Sequence, residues 1–229
     1  MLYIDQPIGV GMSYGPLVSG PYEAKTHIGI FMRIFYKMYP QYIGLKFYMI
    51  GESYSGHYVP LYANYIKQNM PWINLVGIAV GNGLVNWRIQ DYSIPVYAYQ
   101  HNLLDDEGYK LAMDSAIACE ELINNGLYDI ALAECNLPLS VSIYEGWVLN
   151  GTGVVNYYNI YEPCVGRGCY NFSLMIDYLN SPSVRKHMDI PYEVGKYVVS
   201  NDKYPYIYRY DTYDSYIHYI QELLENGIT

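Results

Sequence analysis

The chain has 229 residues, of which 52% are hydrophobic and only 15% are charged. A chain of this length and composition can bury a core in one large domain or two small ones, which excludes a disordered protein. Its net charge of −9, with only 13 lysine and arginine residues, predicts no nucleic-acid partner. No run approaches the roughly 18 apolar residues of a membrane span, and the first residues do not have the pattern of a signal peptide.

The first third of the sequence alternates between strand and helix patterns. We predict short strands over residues 2–4, 47–50 and 75–80. A helix is predicted over residues 22–39 and ends before Pro40. Its apolar side chains form one stripe: Ile28, Phe31, Met32, Phe35 and Met38. A second helix is expected to bend or restart at Pro60. This alternation predicts right-handed crossovers on a parallel sheet, with active-site residues at the carboxyl ends of the strands.

The pattern changes after residue 90. Residues 91–170 combine helices and loops, including an amphipathic stretch over 111–123, and predict a mainly helical cap inserted over the sheet. Residues 172–188 indicate two helices, with Ser181 capping the second and Pro182 at its first position.

A last helix is predicted over residues 213–225, with Ile217, Ile220 and Leu224 on one face. The fold class is therefore α/β, a mostly parallel sheet with flanking helices and a helical cap. Three segments are expected: the central sheet over 1–90, the cap over 91–170, and a return to the core over 171–229.

Residues 51–56 read Gly-Glu-Ser-Tyr-Ser-Gly and stand between a strand pattern and a helix pattern. This position is typical of a Gly-x-Ser-x-Gly nucleophile elbow, in which the serine is held outward at a sharp turn. Small residues are needed because bulky Cβ groups would clash in the turn. The pattern predicts serine acyl-transfer chemistry at Ser53, although the first glycine stands one place earlier than in the generic motif.

The same stretch resembles the signature of a known family. Residues 51–58 agree at seven of eight positions with the Gly-Glu-Ser-Tyr-Ala-Gly-His-Tyr signature of the serine carboxypeptidases. Residues 2–14 and 74–83 resemble two more segments of that family, in its order and spacing. Weaker similarity continues over 161–164, 169–170 and 178–186. The resemblance implies an α/β-hydrolase fold, represented by an incomplete member.

The resemblance also implies roles for three neighbouring residues. Ser53 would be the nucleophile that forms an acyl-enzyme, and the backbone N–H of Tyr54 would donate to the oxyanion. Glu52 would share a proton with a second carboxylic acid and help to bind the substrate's terminal carboxylate. The alternative role for Glu52 is to cap the following helix. The implied substrate is the C-terminus of a peptide or protein, and the resemblance implies no cofactor and no metal.

Other parts of the catalytic machinery are not found in the sequence. Hydrolysis by a serine needs a histidine oriented by a carboxylate, and in this fold both follow the serine. The Gly-Asp-x-Asp-like segment and the late histidine loop of the family do not occur here, and neither does its glycine-rich oxyanion loop. We therefore expect no catalytic Asp or His in this chain, and we expect the chain alone to be inactive.

The five histidines of the chain are expected to have structural or surface positions. His57 lies four residues after Ser53 and is expected to have a packing or hydrogen-bonding role. Asp214 and His218 form an i, i+4 pair on the last predicted helix, where a solvated face is expected. The remaining histidines have no motif around them and are expected at the surface or at helix ends: His27, His101 and His187.

Two alternatives to a peptidase remain open. An acyltransferase of the same family would pass the acyl group to an alcohol instead of water, and the elbow does not distinguish the two reactions. A family member without catalysis could bind peptides or partners. The sequence does not predict the oligomeric state or the preferred substrate side chain.

The four cysteines lack metal-ligand spacing and allow three pairings. We favour Cys119 with Cys135 and Cys164 with Cys169, because each bridge would close a local loop; the second resembles a short bridge of the carboxypeptidase family. Four free thiols are the alternative.

Two glycosylation sequons begin at Asn150 and Asn171. Together with paired cysteines they favour an oxidising compartment. The predicted location is the secretory pathway, a lysosome or vacuole, or the cell exterior.

Overall fold

The computed structural model describes residues 1–135, 155–156, 158–165, 169–200 and 211–229. The chain divides into two compact units, one made of Met1–Trp87 with Asp202–Thr229 and the other of Arg88–Asn201. This division is based on which residues contact each other in space. The three segments expected from the sequence are based on changes in the order of predicted helices and strands. Those segments stay a prediction.

The first unit is built on a parallel strand pair. Strand β1 (Phe47–Glu52) lies beside strand β2 (Leu75–Gly81), and helix α2 (Ser55–Asn69) connects them. The pairing runs from Tyr48 opposite Gly77 to Glu52 opposite Gly81. Because the strands are parallel, their carboxyl ends meet at one edge of the sheet. The structure thus confirms the predicted α/β class with a parallel sheet.

The predicted strand over residues 2–4 is wrong. These residues have no strand or helix assignment, and Leu2 and Tyr3 are 44% and 82% exposed. An apolar run forms a strand only when a neighbouring strand takes up its backbone hydrogen bonds. In the part of the chain that the structure describes, this segment has no such neighbour.

Helix α1 (Pro21–Met38) matches the predicted helix to within a residue at each end. Pro21 stands in its first turn, where a missing N–H is tolerated, and a single 3₁₀ turn begins at Pro40. The predicted stripe is right at Ile28 and Met32, which are buried, and wrong at Met38, which is 64% exposed.

Helix α2 is the most buried element of the first unit and continues through Pro60 without interruption. The expected restart at Pro60 is therefore wrong, whereas the expected alternative, a bend at Pro60, stays a prediction. The helix packs on α1 and on both strands, and Leu61, Ala63 and Ile66 are each at most 1% exposed. Full burial of a large apolar side chain contributes about 1.5–3 kcal/mol to the stability of the folded state.

In the second unit the described residues are mainly helical. A short helix, α3 (Trp87–Gln90), spans the division between the units. The helices that follow are α4 (Ser93–Gln100), α5 (Asp106–Asn124), α6 (Tyr128–Glu134), α7 (Ser173–Asn180) and α8 (Pro182–His187). Two short strands, β3 (Val155–Asn156) and β4 (Asn159–Pro163), pair antiparallel.

Local sequence signals explain several of these boundaries. Asp105 caps α5, since its Oδ1 accepts a hydrogen bond from the Gly108 N–H at 2.8 Å. Ser181 and Pro182 separate α7 from α8 as predicted, with Ser181 at the N-cap position and Pro182 at the first position of α8. The Ser181 side chain does not cap α8, because its hydroxyl donates to Tyr178 O at 2.8 Å instead. No described helix combines the length and apolar character of a membrane crossing.

Both favoured disulfides are confirmed in the second unit. Cys119 pairs with Cys135, which joins α5 to the end of α6, and Cys164 pairs with Cys169. The alternative of four free thiols is therefore wrong.

Helix α9 (Ile217–Glu225) returns to the first unit after a 3₁₀ turn over Asp211–Tyr213. It begins four residues later than predicted, and the predicted face is wrong at Leu224, which is 61% exposed. Leu223 is 2% exposed instead and packs with Ala63, Leu75 and Ile228.

The second unit contains a buried carboxyl group, that of Asp91. This residue is 3% exposed, and within the described parts of the chain neither of its carboxylate oxygens has a hydrogen-bond partner. Burial raises the pKa of Asp91 to about 6, because the charged form is poorly solvated there.

We expect Asp91→Asn to stabilise the protein at neutral pH and to have little effect in acid. The folded-state pKa lies above the unfolded value of about 3.9. The contribution of Asp91 to stability is therefore greatest below pH 4 and falls as the pH rises towards 6. Denaturant unfolding at pH 7 should show Asp91→Asn to be about 2–3 kcal/mol more stable than wild type.

Asp114→Asn, on the exposed face of α5, is the matched control and should change stability by less than about 0.5 kcal/mol. An Asp91→Asn effect of equal size at pH 4 and pH 7 would contradict the prediction.

Candidate active site

Ser53 stands at the corner between β1 and α2. Its φ is 59°, in the left-handed region that a residue with a Cβ rarely occupies, and its side chain is exposed. The Ser53 N–H donates to Gly81 O at 2.9 Å. Its carbonyl accepts from Gly56 N at 3.0 Å and from Leu84 N at 2.9 Å. These three bonds hold the strained residue in place at the carboxyl end of β1.

Close backbone approach explains the glycine that follows the serine. A Cβ on Gly56 would lie 2.3 Å from the carbonyl oxygen of Leu84 and 2.6 Å from its nitrogen. Gly51 is similarly confined, since its Cβ would lie 2.4 Å from that of Ser55. Small residues are thus required on both sides of Ser53, as the motif predicted.

Glu52 and Tyr54 flank Ser53 in different surroundings. Glu52 is the last residue of β1, opposite Gly81, and its side chain is exposed. The Tyr54 ring is half-buried and stacks on His57, with centroids 4.3 Å apart. Two polar side chains, Glu52 and Ser53, therefore stand in solvent at the carboxyl end of the sheet.

His57 is wholly buried in the first turn of α2. Its Nδ1 lies 2.6 Å from Leu84 O, and its Nε2 lies 3.1 Å from Asp211 O. Its ring lies between those of Tyr54 and Tyr216, each centroid 4.3 Å away. Burial lowers the pKa of His57, although the contacts with the backbone carbonyls of Leu84, Asp211 and Thr212 oppose this effect. This environment agrees with the packing role expected for His57.

The other histidines have different surroundings. His101 contacts Tyr97 O through Nδ1 at 2.9 Å, His187 ends α8, and His218 is exposed beside Tyr219. His27 lies within α1 with its Nδ1 buried, which differs from the surface or helix-end position expected for it. Among the described residues, no hydrogen bond joins an imidazole to Ser53 Oγ.

Asp211 is a second carboxyl group with an altered pKa. Burial, and to a lesser extent the nearby Asp214, raises the pKa of Asp211 to about 6. Its backbone carbonyl contacts His57, so the segment before α9 packs beneath the elbow. The sequence did not predict that Leu84 and Asp211 contact His57, because both residues do so through backbone carbonyls and not through side chains that a motif could include.

We expect Gly56→Ala to destabilise the first unit by about 3 kcal/mol. The added methyl would overlap the Leu84 backbone, which cannot move without breaking its bond to Ser53. Gly81→Ala is the matched control at the same end of the sheet, because its Cβ would meet Glu52 Cγ at an ordinary 3.7 Å. Denaturant midpoints should separate the two variants, and similar midpoints would contradict this account of the turn.

We expect His57→Ala to lower the free energy of unfolding by about 2–4 kcal/mol at pH 7. The substitution opens a cavity and removes the imidazole that contacts Leu84 O and Asp211 O. Since burial lowers the folded-state pKa of His57, its stabilising contribution is present above pH 6.5 and falls as the pH decreases. The stability difference between wild type and His57→Ala should therefore shrink in acid.

His101→Ala removes a more exposed imidazole and is the matched control, with an expected cost below about 1 kcal/mol. Equal losses for the two variants would contradict the role given to His57.

Comparison with known proteins agrees with this geometry. A family model described as serine carboxypeptidase matches residues 1–229. Serine carboxypeptidase S10 family member 1 of Dictyostelium discoideum is 35% identical over 235 residues, which cover 99% of this chain and 55% of that protein. The lysosomal protective protein of Mus musculus is 35% identical over 170 residues, covering 72% of this chain and 34% of that protein.

The chain therefore spans about half or less of the length of these relatives. The crystal structure of Kex1Δp, a prohormone-processing carboxypeptidase from Saccharomyces cerevisiae, superposes with a TM-score of 0.83. The superposition covers 99% of this chain and 54% of that one at 22% identity, and shows that the fold is that of an α/β-hydrolase. The chain belongs to the serine carboxypeptidase family.

Proposed function

We propose that this chain carries the nucleophile of a serine-type carboxypeptidase, which releases C-terminal residues from peptides through an acyl-enzyme on Ser53. The observation that carries the proposal is the exposed Ser53 hydroxyl at the strand-to-helix corner, on a backbone with φ 59°. A serine held in this conformation has a structural cost of about 1–3 kcal/mol, which a purely structural turn residue such as glycine would avoid.

In the proposed reaction, Ser53 Oγ attacks the carbonyl carbon of the last peptide bond and gives its proton to a histidine base. The backbone N–H of Tyr54 donates to the oxyanion that forms. When the C–N bond breaks, the base protonates the leaving amine, and the acyl group stays on Ser53 as an ester. Water then hydrolyses the ester by the same proton transfers in reverse.

Glu52 is the proposed contact for the terminal carboxylate of the substrate. Its exposed side chain directly precedes Ser53 at the carboxyl end of β1. A carboxyl group can bind a carboxylate only when a proton is shared between them, because two negative charges at close range repel each other. This requirement favours binding in acid and agrees with a family role that involves a second carboxylic acid.

These 229 residues alone are proposed to lack peptidase activity. Both ring nitrogens of His57 contact backbone carbonyls, and no described imidazole is hydrogen-bonded to Ser53. A serine without a base loses most of its nucleophilic reactivity. The base and its orienting carboxylate would come from other residues of a complete enzyme.

The secretory pathway, including a lysosome or vacuole, is the proposed location. Two disulfides within the described residues favour an oxidising compartment. One relative is itself named a lysosomal protein.

A fluorophosphonate probe, which labels activated serines, tests the proposal. The chain of 229 residues should stay unlabelled, whereas a complete protein encoded by the surrounding gene should be labelled at Ser53. In that complete protein Ser53→Ala should abolish labelling and lower kcat on the order of 10⁶-fold. Ser55→Ala, two residues away, is the matched control and should keep both properties.

Release of C-terminal amino acids from peptides would distinguish hydrolysis from acyl transfer, for which an acyl-glucose donor and an alcohol acceptor are the substrates. A complete protein that binds peptides but stays unlabelled would replace the proposal with a binding role. Stoichiometric labelling of Ser53 in the chain of 229 residues would overturn the proposed inactivity.

A further inference from the structure

One sequon of the chain falls within the described residues, and its surroundings favour modification. Asn171, Phe172 and Ser173 form an acceptor sequence immediately before α7, and the residue after the serine is not proline. The other sequon, at Asn150, lies outside the described residues.

Asn171 is exposed, and its amide oxygen takes part in a local turn. Asn171 Oδ1 accepts a hydrogen bond from the Ser173 N–H at 3.0 Å. This Asx-type turn uses only the carbonyl oxygen of the amide. None of the hydrogen bonds among the described residues involves Asn171 Nδ2. An oligosaccharide attached to this nitrogen would therefore break no hydrogen bond among the described residues.

The surface around the sequon is apolar as well as exposed. Leu174 and Tyr178 lie one turn apart on α7 and are 84% and 64% exposed, and Tyr170 on the other side of Asn171 is 40% exposed. Contiguous exposed apolar side chains promote association unless something covers them. A bulky hydrophilic group attached at Asn171 would shield this surface.

A disulfide close to Asn171 favours a location in the secretory pathway. The disulfide between Cys164 and Cys169 ends two residues before Asn171. Disulfide formation and the transfer of an oligosaccharide to a sequon both take place along the secretory route.

We infer that Asn171 is an N-glycosylation site, with a lipid pyrophosphate-linked oligosaccharide as donor. In the transfer, Asn171 Nδ2 attacks the anomeric carbon of the first sugar. The new C–N bond forms as the C–O bond to the pyrophosphate breaks. The lipid pyrophosphate leaves with that electron pair, and Nδ2 loses one proton to a base of the transferase. The inference does not depend on the proposed peptidase activity.

The test uses this chain, expressed behind a cleavable secretion signal in a eukaryotic cell. Peptide N-glycosidase F in H₂¹⁸O converts each glycosylated asparagine to ¹⁸O-labelled aspartate, which mass spectrometry locates. The wild-type chain should show a downward mass shift after enzyme treatment, and the peptide that contains residue 171 should carry the ¹⁸O label.

Ser173→Ala and Ser173→Thr are a matched pair that leaves Asn171 unchanged. The label at residue 171 should disappear in Ser173→Ala and persist in Ser173→Thr, and it should also disappear in Asn171→Gln and persist in Asn150→Gln. Because the wild-type peptide map needs no variant, a misfolded Asn171→Gln would not prevent a decision. A secreted wild-type chain with an unlabelled residue 171 would overturn the inference.

Discussion

Three backbone hydrogen bonds at Ser53 are the constraint on which the rest of the site depends. A left-handed backbone at a residue with a Cβ is unfavourable, so neighbouring structure must impose it. The parallel pairing of β1 with β2 places the Gly81 carbonyl beside the Ser53 N–H, and the loop after β2 brings Leu84 N to the Ser53 carbonyl. Because α2 is buried on several sides, the corner cannot relax by moving the helix. The position of the hydroxyl is thus a property of the whole first unit.

Much of this arrangement could be predicted from short patterns whose physical cause is local. Pro40 follows the end of α1, and Ser181 with Pro182 separates α7 from α8. The apolar strands before and after α2 are parallel, as the alternation of elements required. The elbow was predictable because steric crowding at Gly51 and Gly56 is recorded directly as small residues in the sequence. Both disulfides close short separations, of 16 and 5 residues.

The features that escaped prediction depend on contacts between distant parts of the chain. Residues 2–4 have a strand-like composition, but composition does not supply the neighbouring strand that pairing needs. Periodicity along α9 predicted Leu224 on the core face, whereas Leu223 lies there, because the packing of Leu223 against Ala63 and Leu75 is a tertiary property. The burial of Asp91 could not be predicted from the residues next to it in sequence. The same is true of the contacts of His57 with the carbonyls of Leu84 and Asp211. The roles of Glu52, Ser53 and Tyr54 stay predictions that rest on geometry and family membership.

The environment of His57 has a consequence for the order in which the protein folds. The ring joins α2 to carbonyls 27 and 154 residues further along the chain. Closing the loop of 154 residues between His57 and Asp211 is entropically unfavourable and slow compared with forming a helix. During synthesis the ribosome delivers Asp211 long after the strands and α2. The imidazole beneath the serine therefore gains its second carbonyl contact only after this late segment has docked, so newly made chains should complete the burial of His57 as one of their last folding events.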